Sequence, residues 1–247
     1  MISYYGQSDI GRVRKQNEDS ILTADSLFLV CDGMGGRKAG EIASRLAVQT
    51  IGTMVAESLR MQNAGSASDG AGDHDSLKAA IRVANSAIRK MAAESEDHVG
   101  MGTTVAALLF DRSQARVAYA NVGDSRIYLM RAGTIAQLSR DDSWLNAAFA
   151  GESVDTTTLA SMQHVLTKAL GTHDHLDFDV KDQELLDGDV LLLCSDGLTN
   201  MLTDGEIMGM VAKQGSDLQK AGRELIDAAN KAGGRDNISA VLVRYRR

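Results

Sequence analysis

Proline is absent from all 247 residues, cysteine occurs twice and tryptophan once. Two cysteines, Cys31 and Cys194, cannot build a disulfide framework, and with five scattered histidines they do not form a zinc-binding spacing. Each closes an apolar stretch with no basic neighbour to lower its pKa, so both are expected to be buried strand-end thiols of a reducing cytoplasm. No apolar run approaches the ~18 residues of a membrane span. The opening MISYYGQSDIGRVRK lacks the basic-then-apolar layout of a signal peptide, so no membrane attachment is expected. Positive charge is in deficit: 26 Lys and Arg against 33 Asp and Glu give a net charge of −7, which argues against the basic footprint of a nucleic-acid binder. No Walker or GxGxxG pattern occurs, no nucleophile elbow is visible, and His164 has no obvious triad partner. Without proline, turns rest on the 24 glycines and on Asn and Asp; no functional reading attaches to the missing proline.

What is present suits a globular protein: 44% of residues are hydrophobic, and the length allows one large domain that needs no covalent staples. No internal repeat is visible. Apolar residues at Ile42, Leu46, Ile51, Val55 and Leu59 predict a helix from about Lys38 to Leu59. Those at Leu77, Ile81, Ala84, Ile88 and Met91 predict a second. The Gly-, Ser- and Asp-rich stretch Met61–Ser76 reads as a flexible connector between them. Strands are expected at Ser26–Cys31, Val105–Phe110, Arg116–Asn121, Arg126–Arg131, Asp189–Cys194 and Ile238–Tyr245, and further helices near Thr203–Lys213 and Asp217–Lys231. Strands grouped with strands predict an α+β fold of antiparallel sheets with helices packed outside, not a doubly wound parallel sheet. Asp141–Leu170 is the least regular stretch and reads as a helical flap or loop.

The pattern that carries chemistry is acidic residues at strand ends beside glycine. Asp32 follows LFLVC and precedes Gly33, Asp196 follows LLLCS and precedes Gly197, and Asp236 and Asp124 each stand just before a strand. Glu18 and Asp19 follow RKQN. Taken singly, an Asp-Gly after a strand is usually a turn. Packed into one cleft, such carboxylates repel and raise one another's pKa unless cations neutralise them. With no His or Cys cluster available, Mg²⁺ or Mn²⁺ fits better than zinc. Two such ions can activate a water and clamp a phosphoryl group. Arg12 and Arg14, just upstream, are a solvated charge run or a bidentate fork for phosphate oxygens. The stretch with His173, Asp174, His175, Asp177, Asp179 and Asp182 lacks the glycine of an EF-hand and reads as an exposed acidic loop.

Seven motifs in order resemble the metal-dependent type 2C protein phosphatases, the PPM family, in their compact bacterial form. They are SDIGRVRKQNEDS (Ser8–Ser20), VCDGMGG (Val30–Gly36), MGTT (Met101–Thr104), NVGDSRIYL (Asn121–Leu129), LTKALG (Leu166–Gly171), LLLCSDGLTN (Leu191–Asn200) and GGRDNISAVLV (Gly233–Val243). The resemblance spans nearly the whole chain. It implies a single catalytic domain over residues 1–247, with a flap at about 143–164. It also implies a four-layer αββα sandwich, two central antiparallel sheets flanked by antiparallel helix pairs. Asp32 would bridge two Mn²⁺ or Mg²⁺ ions, with the Gly33 carbonyl on the first and Asp196 and Asp236 on the second. Asp124, with Asp196, would hold a weaker third ion. Glu18 and Asp19 would bind metal waters, Asn237 would hold the Asp236 loop, and Arg14 would bind phosphate.

The implied reaction is hydrolysis of phosphoserine or phosphothreonine in proteins by a water activated between the ions, without a phosphoenzyme. Met34 stands where many eukaryotic members carry a proposed histidine acid, which leaves the leaving-group acid unassigned. Asp142 stands where bacterial relatives usually carry His, and Asn200 where Asp is common. The partners implied are phosphoproteins and an opposing Ser/Thr kinase, with the enzyme a cytoplasmic monomer. In some bacteria such a phosphatase and kinase control a type VI secretion system, a role carried here by analogy alone. Two other readings stay open: a non-catalytic phosphoprotein-binding relative, and another divalent-metal hydrolase on the same scaffold.

Overall fold

The computed structural model describes residues 1–35, 39–63, 72–111, 114–142 and 166–247. The flap at 143–164 with His164, the Gly36 end of VCDGMGG and the centre of the 61–76 connector lie outside these residues. Eleven strands form two sheets among the described residues. The first has the order β1 (Ile2–Asp9), β11 (Ile238–Tyr245), β10 (Val190–Cys194), β7 (Arg126–Arg131) and β8 (Thr134–Gln137). The second runs β2 (Asp19–Thr23), β3 (Leu27–Met34), β5 (Val105–Asp111), β6 (Arg116–Val122) and β9 (Val180–Glu184), with the short β4 (Gly102–Thr103) paired to β3. Every pairing is antiparallel.

Three apolar layers make this a four-layer sandwich. Phe28, Val30 and Leu108 face Ile127, Leu191, Leu193 and Val241 between the sheets. Leu29, Ala107 and Leu109 point the other way, against α1 (Gly40–Asn63) and α2 (Asp73–Glu94). Leu192, Ala240 and Leu242 pack under α4 (Asp204–Gln214) and α5 (Leu218–Lys231). A fifth, one-turn helix, α3 (Asp196–Thr199), follows β10. Central strands are therefore covered on both faces, which is why β3, β5, β10 and β11 read as unbroken apolar runs instead of alternating. Cys31 and Cys194 are free and buried, and burial pushes both thiols up, Cys194 to about 12.

The architecture matches the expected fold class, and the helices fall within a few residues of their expected bounds. Five strands carry no clear sequence signal: β1, β2, β8, β9 and the two-residue β4. The first four are the sheet edges, whose apolar content is low. The expected acidic loop at 173–182 is corrected in part. Asp182 lies in β9 opposite Ala118, with Arg116 at 3.7 Å and His74 at 3.8 Å. The β6–β7 connection is also not a hairpin: it carries the chain, with Asp124, from one sheet to the other.

A buried asparagine pins the segment that re-enters the fold after the flap region. Asn85 of α2 donates to the His173 carbonyl at 3.0 Å and accepts from the Gly171 amide at 2.7 Å. Gly171 has φ +92°, and a Cβ there would meet Ile88 at 2.5 Å. Asn85→Ala leaves two part-buried backbone groups without this partner and is expected to cost about 1–2 kcal/mol of stability, read from urea unfolding.

Candidate metal centre

In an antiparallel sandwich, the end of one strand and the start of its neighbour share an edge. That edge gathers Asp32 near the end of β3, Asp196 after β10, Asp236 before β11, Asp124 before β7 and Glu18 before β2. Asp32, Gly33, Glu18, Asp124, Asp196 and Asp236 all line one cleft of about 770 Å³, and Arg14 lies on its wall. Asp19, directly opposite Asp32 in the β2–β3 register, sits one layer back from that wall.

Neutral donors hold the carboxylates in place. The Asp32 amide donates to Thr104 Oγ1 at 2.9 Å, and the Asp32 carbonyl accepts from Thr103 Oγ1 and the Thr104 amide. Thr104 Oγ1 shares a further hydrogen bond with Ser125 Oγ, next to Asp124. Ser195 and Ser239 both donate to Asp19 Oδ2, at 2.8 and 2.6 Å. Asn237 donates to the Ile10 and Gln16 carbonyls and accepts from the Glu18 amide, while its own amide donates to Asp236 Oδ1. One side chain thus ties the first motif to the loop before β11. The glycines permit close approach: a Cβ on Gly33 would lie 2.1 Å from the Gly40 carbonyl oxygen, and one on Gly197 2.0 Å from that of Asn237.

The electrostatics are those of a site short of positive charge. Burial, then Asp19, Asp196, Asp124 and Asp236, hold the Asp32 carboxyl well above the usual carboxylate range. Burial and Asp196 push Asp124 up to about 7. Burial pushes Asp19 up to about 6 against the two serine hydrogen bonds that favour its anion. Asp19 Oδ1 is buried with no hydrogen-bond partner. Arg14 supplies local relief, its Nη2 donating to Asp236 Oδ2 at 2.7 Å. Asn200 donates to Asp196 Oδ2 at 3.0 Å.

These oxygens suit hard divalent cations, and no His or Cys is among the described cleft-lining residues to suggest a softer metal. Among the described residues no three His, Cys, Asp or Glu side chains close into a finished cage. The cleft is an open rim of carboxylates. Sequence reasoning placed the charged residues on the rim. It passed over the hydroxyls of Thr103, Thr104, Ser125, Ser195 and Ser239, although all five lie inside the quoted motifs.

Asp142 joins this rim to the segment beyond it. Its amide donates to the Gly123 carbonyl, its Oδ2 accepts from the Gly123 amide at 3.2 Å, and its carbonyl accepts from the Thr167 amide. Both flanks of residues 143–165 are therefore tied to the loop that carries Asp124.

The family sequence model described as "Protein phosphatase 2C" matches residues 12–243. The serine/threonine protein phosphatase PstP of Mycobacterium tuberculosis is 32% identical over 245 residues, 98% of this chain. The chain spans 45% of that relative's length. The serine/threonine phosphatase stp of Listeria welshimeri is 34% identical over 244 residues, covering 96% of this chain and 93% of its own. The solved catalytic domain of PstP in complex with two manganese ions superposes with a TM-score of 0.83 at 32% identity, over 100% of this chain and 99% of that one.

The raised carboxyls set a pH dependence. A folded-state pKa above the unfolded value of 3.8 means that the folded protein holds protons the unfolded chain releases. Metal-free stability is then greatest at the acid end of the window and falls as pH rises from about 4 to about 7. Thermal melts in EDTA are expected to show that fall, Asp124→Asn to flatten it, and Mg²⁺ to remove it.

Proposed function

The chain belongs to the protein phosphatase 2C family, and on that premise we propose that it hydrolyses phosphoserine and phosphothreonine in proteins with two Mn²⁺ or Mg²⁺ ions. The observation that carries this reading is the cleft in which Asp32, Asp124, Asp196 and Asp236 face one another with Arg14 at the rim. Asp32 and the Gly33 carbonyl would hold the first ion, and Asp32, Asp196 and Asp236 would hold the second. Asp124 with Asp196 can take a third. Glu18 and Asp19 hold water around the ions, and Asn237 keeps the Asp236 loop in register. When bound, the ions supply an activated water at neutral pH and neutralise phosphoryl charge.

The chain's own residues do the rest. Arg14, half exposed, turns its planar fork from Asp236 to the equatorial oxygens of the substrate phosphate and fixes its orientation. Thr104 holds the Asp32 backbone and the Asn237 amide holds the Asp236 carboxylate, so these groups need little reorganisation. Met34 lines the cleft and offers no proton to the leaving oxygen.

We read the chain as one catalytic domain acting as a monomer. Two buried free thiols suit a reducing cytoplasm. Among the described residues no helix is long and apolar enough to cross a membrane. A hydrolase of phosphoserine and phosphothreonine requires a kinase that makes them, and that kinase is the expected partner.

Phosphate release from a phosphothreonine peptide tests the reading. Turnover is expected with Mn²⁺ or Mg²⁺ and none in EDTA. Asp32→Asn is expected to lower kcat at least ~100-fold. Arg14→Ala is expected to raise KM about tenfold or more. Retained phosphopeptide binding without turnover under any metal would instead make the chain a phosphoprotein-binding module.

A further inference from the structure

The opposite pole of the sandwich carries a charge that the fold leaves unbalanced. Along β11, Ile238, Ala240 and Leu242 face the layer under α4 and α5, while Val241 and Val243 face the other sheet. Arg244 takes the next position on the helix side, where the period-two pattern calls for another apolar residue. It is only 9% exposed. Its Nη2 donates to the carbonyl of Gly215, just past α4. Among the described residues no carboxylate lies within ion-pair distance of it. The charged neighbour acting on it is Arg246, and burial plus that like charge push its pKa down. A helix C-terminus offers only about half a negative charge, so the Gly215 carbonyl offsets part of the guanidinium. A buried charge is ordinarily paired, because an unpaired one is costly.

Beside Arg244 opens a cavity of about 450 Å³, walled by the β7–β8 turn, the Asp187–Gly188 turn and the end of α4. Arg244 and Arg246, two residues apart, both line it. Arg131 lines it as well but is already held by Asp189, at 2.9 and 2.6 Å. Asp187 is the lone carboxylate among the described lining residues, and its Oδ1 accepts the Arg247 amide. Met130, Val190 and Val211 give the cavity an apolar side. Val190 starts β10 and Asp196 follows its far end, so this site is roughly 15–20 Å from the carboxylate cleft.

We propose that this cavity binds a phosphate-type oxyanion between Arg244 and Arg246. Guanidinium forks match phosphoryl oxygens in pairs, and two of them match a dianion. The cavity has room for a phosphoryl group and the organic stem that carries it. Two sources share this chemistry: free phosphate, and a further phosphorylated residue of a protein ligand. The site stands on the basic cavity alone and does not depend on what the cleft does.

The test is binding, not turnover. Inorganic phosphate and a phosphoserine peptide are titrated into the full chain in EDTA at constant ionic strength, with calorimetry and thermal melts as readouts. Saturable one-site binding with a raised Tm is expected, unchanged in Asp32→Ala. Arg246→Ala and Arg244→Leu are expected to weaken it about tenfold or more. Arg244→Leu continues the apolar register of β11, so without phosphate it should melt at or above the wild-type Tm while failing to bind. A peptide about tenfold tighter than phosphate assigns the site to phosphoproteins, and equal affinities assign it to the free anion. No saturable binding by wild type, or undiminished binding by both arginine variants, would overturn the proposal.

Discussion

Mutual repulsion among the carboxylates around Asp32 is the constraint on which the rest of this structure depends. Glu18, Asp19, Asp32, Asp124, Asp196 and Asp236 converge on one end of the sandwich, and burial first, then neighbouring carboxylates, raise Asp32, Asp124 and Asp19. Such an arrangement is costly unless something brings positive charge. Arg14 brings one, at Asp236. The remaining deficit is what a pair of divalent cations would fill. The same clustering of carboxylate oxygens suits hard cations.

The scaffold answers that repulsion with rigidity. The hydrogen bonds that fix these acids come mainly from hydroxyls and amides: Thr103 and Thr104 on the Asp32 backbone, Ser195 and Ser239 on Asp19, Asn237 on the loop before β11. Neutral donors can orient a carboxylate without spending its charge, whereas a buried lysine or arginine at the same place would compete with the cations. Antiparallel topology completes the arrangement. It lets two sheets deliver strand ends and strand starts to a single edge, which a doubly wound parallel sheet does by other means.

The charged rim was legible in the amino-acid sequence because Asp32, Asp124, Asp196 and Asp236 each stand at the boundary of an apolar run, beside or near glycine. The helices were legible from their 3.6-residue period, and the layer order from strands following strands. Edge strands were not, since β8 and β9 bury little and Asp182 within β9 looks like any acidic loop residue. Nor was the crossing from β6 to β7, because VGDS has the composition of a hairpin turn while its strands belong to different sheets. The hydroxyl network and the Arg14–Asp236 pair join residues far apart in the chain, and no local pattern reports such contacts. Arg244 stands at the end of the apolar run of β11, and only the structure shows that, among the described residues, no acid comes to meet it.

The two poles of the molecule are thus opposite in sign, an acidic cleft at one and a basic cavity at the other. The account rests first on the cleft. Crystals grown with Mn²⁺ and measured by anomalous scattering at the manganese edge test it most directly. Two peaks about 4 Å apart, with the Asp32 carboxylate between them, are predicted. Manganese bound elsewhere, or none beside Asp32 at saturating concentration, would contradict it.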